Sequence, residues 1–328
     1  MDWIKKLSPL RDVISSIRES GKYIPSAERA IEEELKIPSG RFVPKKLPLA
    51  IENKYVKDVI NSGTEPIPIK YFMDGFQRTL LVGHIIHRGL MPVHLHVSGV
   101  VIVDVQGKVI HGPEIQVKLI VPKKSLLPSS IIEELGGIIE ETRDMGEPTY
   151  DYAKLRQRGF YKSSHLRRKL EVKALRDFKP HDGFIAVDGY IPDDRELLRR
   201  KEIIGIVKTH MARYLRLDEE LKVFSMPEGY RSWLIRIPRL EGDLYTLSCY
   251  LRLRRVGINP LSGLVRIEVN PANKDCIDGI CLAIYNKRVP VQVRTKDWDR
   301  KLYQFYCCER VLASHMPSSE ALYAIFRG

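Results

Sequence analysis

The 328-residue chain is 44% hydrophobic and 29% charged, the proportions of a soluble globular protein large enough for one sizeable core or two smaller ones. No run reaches the roughly 18 apolar residues that a membrane helix needs, and the opening Met1-Asp2-Trp3-Ile4-Lys5-Lys6 lacks the apolar centre of a secretory signal, so a cytoplasmic location is expected. The 54 basic residues outnumber the 41 acidic ones, giving a formal charge of +13, which makes a polyanion such as nucleic acid a partner to weigh against a merely basic chain.

Residues 1–66 read as an N-terminal helical arm. Ser26 ahead of Glu28-Arg29-Ala30-Ile31-Glu32-Glu33-Glu34-Leu35 looks like a capped helix start, and Pro38 ends that helix. From residue 67 the pattern turns to strand. Ile67-Pro68-Ile69-Lys70-Tyr71-Phe72-Met73 runs into Asp74-Gly75, and Thr79–Ile86, Pro92–Asp104 and Ile115–Val121 follow, joined by short turns such as 105–109. That spacing predicts an antiparallel meander. His84, His87, His94 and His96 fall within it. His94 and His96 share one strand face, read as facing solvent or a second subunit because no carboxylate or cysteine stands at ligand spacing with them.

Ser130, three residues before Glu133, predicts a capped helix that ends near Gly136-Gly137 or continues to Met145, and the stretch 105–160 contains what reads as an insertion. Residues 150–179 predict a long basic helix with Leu166, Leu170 and Leu175 as its apolar stripe. Glu171 stands in it among Arg167, Arg168, Lys169 and Lys173, where a surface acid would pair with its neighbours a turn away.

Gly183-Phe184-Ile185-Ala186-Val187-Asp188-Gly189-Tyr190 reads as a buried strand that delivers a carboxylate to its end. With Asp74-Gly75 it makes two strands ending in Asp-Gly. Side by side they would present paired acids to a divalent cation; separately they are ordinary turn exits. A polar helix after Asp193 is followed by Ile203–Lys208, a buried strand ending in a lysine that can hold a phosphate or pair with an acid. Another helix is expected over 210–222, then strands over Trp233–Pro238, Leu244–Leu253 and Leu264–Val269. A late helix covers Arg300–Ala313, bearing Tyr303 and Tyr306, with His315 just beyond. Cys249, Cys276, Cys281, Cys307 and Cys308 have poor zinc spacing and read as buried reduced thiols. The chain contains neither a Gly-x-x-x-x-Gly-Lys phosphate loop nor a Gly-x-Ser-x-Gly elbow, which argues against a P-loop ATPase and a serine hydrolase.

Taken in order, Phe72-Met73-Asp74-Gly75, Glu171, Ala186-Val187-Asp188-Gly189, Ile204–Lys208, Tyr250-Leu251-Arg252-Leu253, Val265–Val269 and Ala313-Ser314-His315 resemble the NurA nucleases, which work with the HerA translocase in DNA end processing. The resemblance spans residues 67–315 as short islands. Phe76 stands where the family has Ser or Gly, and the Tyr-Pro pair before the late histidine is absent. It implies an α/β fold, a ribonuclease-H-like mixed sheet flanked by helices, with residues 1–66 as the arm and 67–328 as the nuclease domain. It implies Asp74, Glu171 and Asp188 as ligands of Mn²⁺ or Mg²⁺, with Lys208, Tyr306 and His315 completing a catalytic site. It also implies a homodimer, DNA as substrate and a HerA-type hexameric ATPase as partner. Arg167, Arg168, Lys169 and Lys173, together with Arg252, Arg254 and Arg255, are expected to follow the DNA backbone without reading bases. Two other readings stay open: an inactive DNA-binding scaffold on the same fold, and an unrelated metal-dependent phosphatase using the two Asp-Gly strands.

Overall fold

The structure, a computed structural model, describes residues 2–19, 23–25, 48–142, 151–210, 212–255, 259–293 and 298–327. In chain order these form α1 (Asp2–Glu19), β1 (Tyr23–Pro25), β2 (Leu49–Ala50), β3 (Lys57–Asp58), β4 (Ile69–Ile86), β5 (Leu90–Asp104), β6 (Val109–Val121), α2 (Ser129–Leu135), β7 (Ile139–Glu141), α3 (Tyr152–Asp177) and β8 (Phe184–Asp188). There follow α4 (Arg195–Arg199), β9 (Ile203–Val207), α5 (Leu217–Phe224), β10 (Tyr230–Arg231), β11 (Ile235–Arg239), β12 (Leu244–Arg252), β13 (Leu264–Val269), α6 (Ile277–Asn286), α7 (Tyr303–His315) and α8 (Ser319–Arg327).

All the strands join one mixed sheet, ordered β2-β11-β12-β13-β9-β8-β4-β5-β6-β7, with β1 on β4 and β10 between β12 and β3. The pairs β4–β8, β8–β9 and β6–β7 are parallel. β8 and β9 are short apolar runs buried almost throughout, as parallel strands covered on both faces must be. The mixed α/β sheet flanked by helices is thus as expected, and the meander holds as β4–β5–β6.

Its first strand differs from expectation. Asp74-Gly75 does not end a strand: it lies inside the 18-residue β4, which runs on to Ile86 and is paired to β5 from Tyr71 onward. The parallel partner β8 stops at Asp188, its pairing with β4 ending at Met73–Val187. From Asp74 onward the β8 side of β4 is therefore open, until β1 pairs near Gly83.

Two long helices cover opposite faces of the meander. On one face α3 meets β4 and β5 through a buried polar network in which Ser163 joins Thr79 and His96, and Ser98 joins the other ring nitrogen of His96 at 2.9 Å. On the other face α7 sets Phe305 against Phe72, ring centroids 6.0 Å apart, and Leu312 and Met316 against Gly99. His94 and His96 are accordingly buried, not solvent-facing. β5 is covered on both sides, so the polar face that carries them is buried under α3 and not open to solvent. Burial pushes both imidazoles down to about 3, leaving them neutral.

The first 66 residues are not wholly helical. Leu10, Val13, Ile14 and Ile17 of α1 enter the same core as the meander, at the spacing of an amphipathic helix, and β1, β2 and β3 join the sheet. The helix expected from Ser26 and its stop at Pro38 lie outside the described residues, whereas the helix expected at Ser130 ends at Gly136 and does not continue toward Met145, because the chain turns into β7 at Ile139. The α2 cap differs too: Pro128 takes the N-cap position, without a side-chain bond from Ser130. Of the cysteines, Cys249, Cys281 and Cys308 are buried as expected, whereas Cys276 is exposed and Cys307 half-buried. No helix among the described residues is long and apolar enough to cross a membrane.

Candidate active site

Parallel pairing of β4 and β8 in register places Asp74 and Asp188 next to each other, one step beyond Met73–Val187. Side chains alternate along a strand, and Phe72 faces α7, so Asp74 faces α7 as well. Ala186 packs in the same core as Phe72, which puts Asp188 on that face too. β9, parallel to β8, brings Lys208 to the same end, where its ammonium is ion-paired with Asp188. The Lys208 carbonyl is fixed by Arg300 at 2.7 Å. The expected pair of carboxylates with a lysine is therefore assembled, with Asp74 in mid-strand and Asp188 at a strand end.

Here a cleft of about 810 Å³ opens beyond the end of β8. Asp74, Asp188 and Lys208 line it with Arg167 and Arg168 of α3 and with Lys301 and Glu309, which are ion-paired to each other at 2.7 Å. Glu309 and Lys301 escaped the sequence reading. The available signal was that Glu309 is the one acid in α7.

The electrostatics follow from burial. Asp74 is buried, and its Oδ1 accepts a bond from the Gly75 N–H at 2.7 Å. Burial, and then the neighbouring Asp188 carboxylate, push its carboxyl well above the usual range; Lys208 pulls against them, and Glu309 and Glu171 add to the rise. Burial alone would lower the Lys208 ammonium, but Asp188 and Asp74 outweigh it and raise it. Behind the site burial also pushes the Cys308 thiol well up, and its Sγ contacts the Phe72 carbonyl at 3.5 Å.

Glu171 arrives from the other face. It is only 2% exposed and lies against Gly75, whose missing side chain leaves the room. Its carboxylate holds Arg168 at 2.9 Å and Arg167 at 3.3 Å, and Arg167 also donates to the Gly75 carbonyl at 3.2 Å. The pairs expected of a surface acid are formed, but by a buried one. Glu171 sits close enough to influence Asp74 yet fixes two arginines rather than facing the cleft alongside the aspartates.

The two late residues stand apart. His315 is exposed at the end of α7, its Nδ1 bonded to the Val311 carbonyl at 2.8 Å. At roughly 100° per residue it lies about 240° round the helix from Glu309, and neither it nor Tyr306 lines the cleft. Tyr306 is half-buried, its ring 6.4 Å from that of Tyr303.

The expected DNA-binding residues divide. Arg167 and Arg168 line the cleft, Lys169 is exposed on α3, and Lys173 is exposed but paired with Asp177 at 2.8 Å and Glu114 at 3.0 Å. Arg252 is buried, donating to the Pro260 carbonyl at 2.9 Å and the Phe224 carbonyl at 2.7 Å, and so ties chain segments together instead of meeting a ligand. Arg254 donates to the Val289 carbonyl and lies over the Trp298 ring. Arg255 is exposed.

Among the described residues no three His, Cys, Asp or Glu side chains converge as a metal cluster. The donor set that the backbone does bring together, Asp74 and Asp188, consists of hard oxygens suited to Mn²⁺ or Mg²⁺. A divalent cation there would offset the cost of ionising buried Asp74 beside Asp188, so the pair fits such an ion.

No family model matches the chain, and no curated protein matches it significantly. Among solved structures, the NurA nuclease from Sulfolobus solfataricus superposes with a TM-score of 0.45 at 12% identity, over 84% of this chain and 85% of that one. A likeness at that score and identity carries no argument about the chemistry of this chain.

Proposed function

We propose that the chain is a ribonuclease-H-like, metal-dependent deoxyribonuclease that hydrolyses phosphodiester bonds in single-stranded or end-bearing DNA. The observation that carries this reading is the juxtaposition of Asp74 and Asp188 on neighbouring parallel strands, in a cleft that also holds Lys208, Arg167, Arg168 and Lys301. Acid pairs and surrounding cations are what phosphoryl transfer requires: a place for a divalent ion and donors for the phosphate oxygens.

Asp74 and Asp188 would hold Mn²⁺ or Mg²⁺, with Glu309 as the next acid on the same wall. Such an ion, when bound, lowers the pKa of water and offsets charge on the phosphate. Lys208 steadies Asp188 and presents its ammonium to a phosphate oxygen. Arg167 and Arg168, held by Glu171, offer planar donors that suit a phosphodiester. Glu171 acts here by positioning these guanidiniums. The homodimer and the HerA-type translocase rest on the motif resemblance alone, and His315 and Tyr306 have no part in this reading.

The test is cleavage of an end-labelled single strand with Mn²⁺. Asp188→Asn is expected to abolish it, and unaltered cutting would sink the assignment. A second reading, an inactive DNA-binding scaffold, is favoured by one observation: Lys208 is ion-paired with Asp188 and the two arginines with Glu171, pairs that a structural role alone would account for. Isothermal titration separates the two, since a scaffold shows no Mn²⁺ uptake that depends on Asp188.

A further inference from the structure

A recess of about 580 Å³ lies beside the catalytic cleft, and Tyr190 lines both. Tyr190 follows Asp188-Gly189 directly, with Gly189 at φ +114°, a backbone turn that a side chain there would strain. Tyr190 is 42% exposed yet firmly placed. The Arg168 guanidinium carbon is 4.2 Å from the ring centroid, that of Arg239 is 5.2 Å away, and Arg168 also donates to the Tyr190 carbonyl at 2.6 Å. A second aromatic, Tyr214, lines the recess with the Arg266 guanidinium 4.8 Å from its ring centre.

The floor is already satisfied. Glu268, buried, accepts from Arg239 at 3.0 Å, from the Ile191 N–H at 3.1 Å and from Arg266, while Arg239 also donates to Asp193 at 2.7 Å. Two guanidiniums are thus matched by two carboxylates, so the recess itself carries no excess charge to concentrate anions. It offers aromatic and guanidinium planes beside a neutral hydrogen-bonded floor. That chemistry suits a flat, uncharged heteroaromatic ring whose attached phosphate lies next door.

We propose that this recess takes an unpaired nucleobase of the strand whose phosphodiester occupies the catalytic cleft, with Tyr190 as the stacking platform at the boundary and Tyr214 as the far wall. The proposal rests on the nuclease reading and adds where a base of its single-stranded substrate is held. A base stacked in a duplex cannot enter, so the strand must be single or frayed at the site. Because Glu268 and both arginines are engaged with one another, the floor has little left for reading base edges, and stacking tolerant of sequence is expected.

The experiment uses the full chain carrying Asp188→Asn, so that DNA stays intact, and a single-stranded oligonucleotide containing 2-aminopurine. Binding is expected to quench the probe. Tyr190→Ala should reduce the quench and weaken single-strand affinity by about tenfold, Tyr190→Phe should restore both, and Tyr214→Ala should lower the quench independently of any disturbance near Asp188. Blunt duplex affinity should not change. A Tyr190→Ala chain that binds and quenches like its parent overturns the proposal, as does a parent that does not bind the strand. Cleavage by the unmutated chain with Mn²⁺ is scored separately. Cutting without a Tyr190-dependent quench removes the base recess and leaves the nuclease reading standing, whereas a Tyr190-dependent quench without cutting removes the nuclease reading and supports the recess.

Discussion

The Glu171 side chain occupies the space that a Cβ on Gly75 would need, its Cγ and Cδ each 3.0 Å from that point. Gly75 has no turn to make, since it stands within a continuous strand. Its lack of a side chain serves close approach: it lets a buried acid reach across β4 and set Arg167 and Arg168 at the cleft. Gly75→Ala is therefore expected to displace Glu171, break both ion pairs and cost about 2 kcal/mol, within the usual range for overpacking. Thermal unfolding measures the cost, and single-strand cleavage should fall with it. An unchanged melting temperature would mean that Glu171 has room to move, contrary to the geometry.

Asp74 carries an opposite expectation for stability and for activity. Its carboxyl is held well above the 3.8 of the free group by burial and by Asp188. A carboxyl raised on folding means that the folded chain loses stability as pH climbs from that ordinary value through the raised one. Asp74→Asn removes the penalty. In metal-free buffer at pH 7 it should melt higher than the parent, with the gap closing as pH falls toward 4, while cleavage is lost. Mn²⁺ should stabilise the parent, by about 2.7 kcal/mol at a hundredfold excess over its dissociation constant, and leave Asp188→Asn unmoved. Melting curves with Mn²⁺ and with chelator, recorded across pH, check both statements.

How much of this could be read in advance depended on whether a local signal had one meaning. The run into Asp188, the apolar strand before Lys208 and the leucine stripe of α3 were legible because periodicity and burial agree there. Asp74-Gly75 was not placed correctly, because the same dipeptide serves a turn exit and a glycine that admits a neighbour. His94 and His96 misled because alternation marks a polar face without showing what covers it, and here α3 does. The recruitment of Glu309 and Lys301 depends on how α7 is rotated against β4. That rotation is set by Phe305 on Phe72 and by Leu312 and Met316 on Gly99, contacts more than 200 residues apart in sequence. His315 fell on the wrong side of the same helix.

Away from the cleft, Arg231 offers a test of the fold itself. Fully buried, it is held by Glu52 at 2.8 Å and by Asp278, so that a residue of the first 66 is tied to β10 and α6. Burial alone would raise the Glu52 carboxyl, but the Arg231 guanidinium and the Leu234 N–H lower it from 4.5 to about 2. A depressed carboxyl contributes stability that is complete above the unfolded value and is lost as pH falls from about 4.5 toward 2. With a discount for partial contact with solvent, that contribution is about 2 kcal/mol. Glu52→Gln should lower stability at pH 7 and flatten the acid limb of the stability curve in that window. Denaturant titrations at pH 7, 4.5 and 3 provide the comparison.

The basic residues give the last prediction, because two of them looked equivalent in sequence and are opposites in the fold. Lys169 is exposed on α3 beside Arg168, on the helix that lines the cleft. Arg252 is buried, and its guanidinium bonds the carbonyls of Pro260 and Phe224 from separate segments. A phosphate contact releases counterions and shows in the salt dependence of binding, at roughly 0.7 of a logarithmic unit per contact on a single strand. A buried guanidinium satisfying carbonyls shows in stability instead. Lys169→Ala should leave the melting temperature unchanged and flatten the salt slope of single-strand binding by about that amount. Arg252→Met should cost about 3 kcal/mol by leaving buried carbonyls without donors, and under conditions where it remains folded its salt slope should match that of the parent. Binding isotherms at four salt concentrations, paired with melts, separate the two roles. A reduced slope for Arg252→Met would return that residue to the DNA surface.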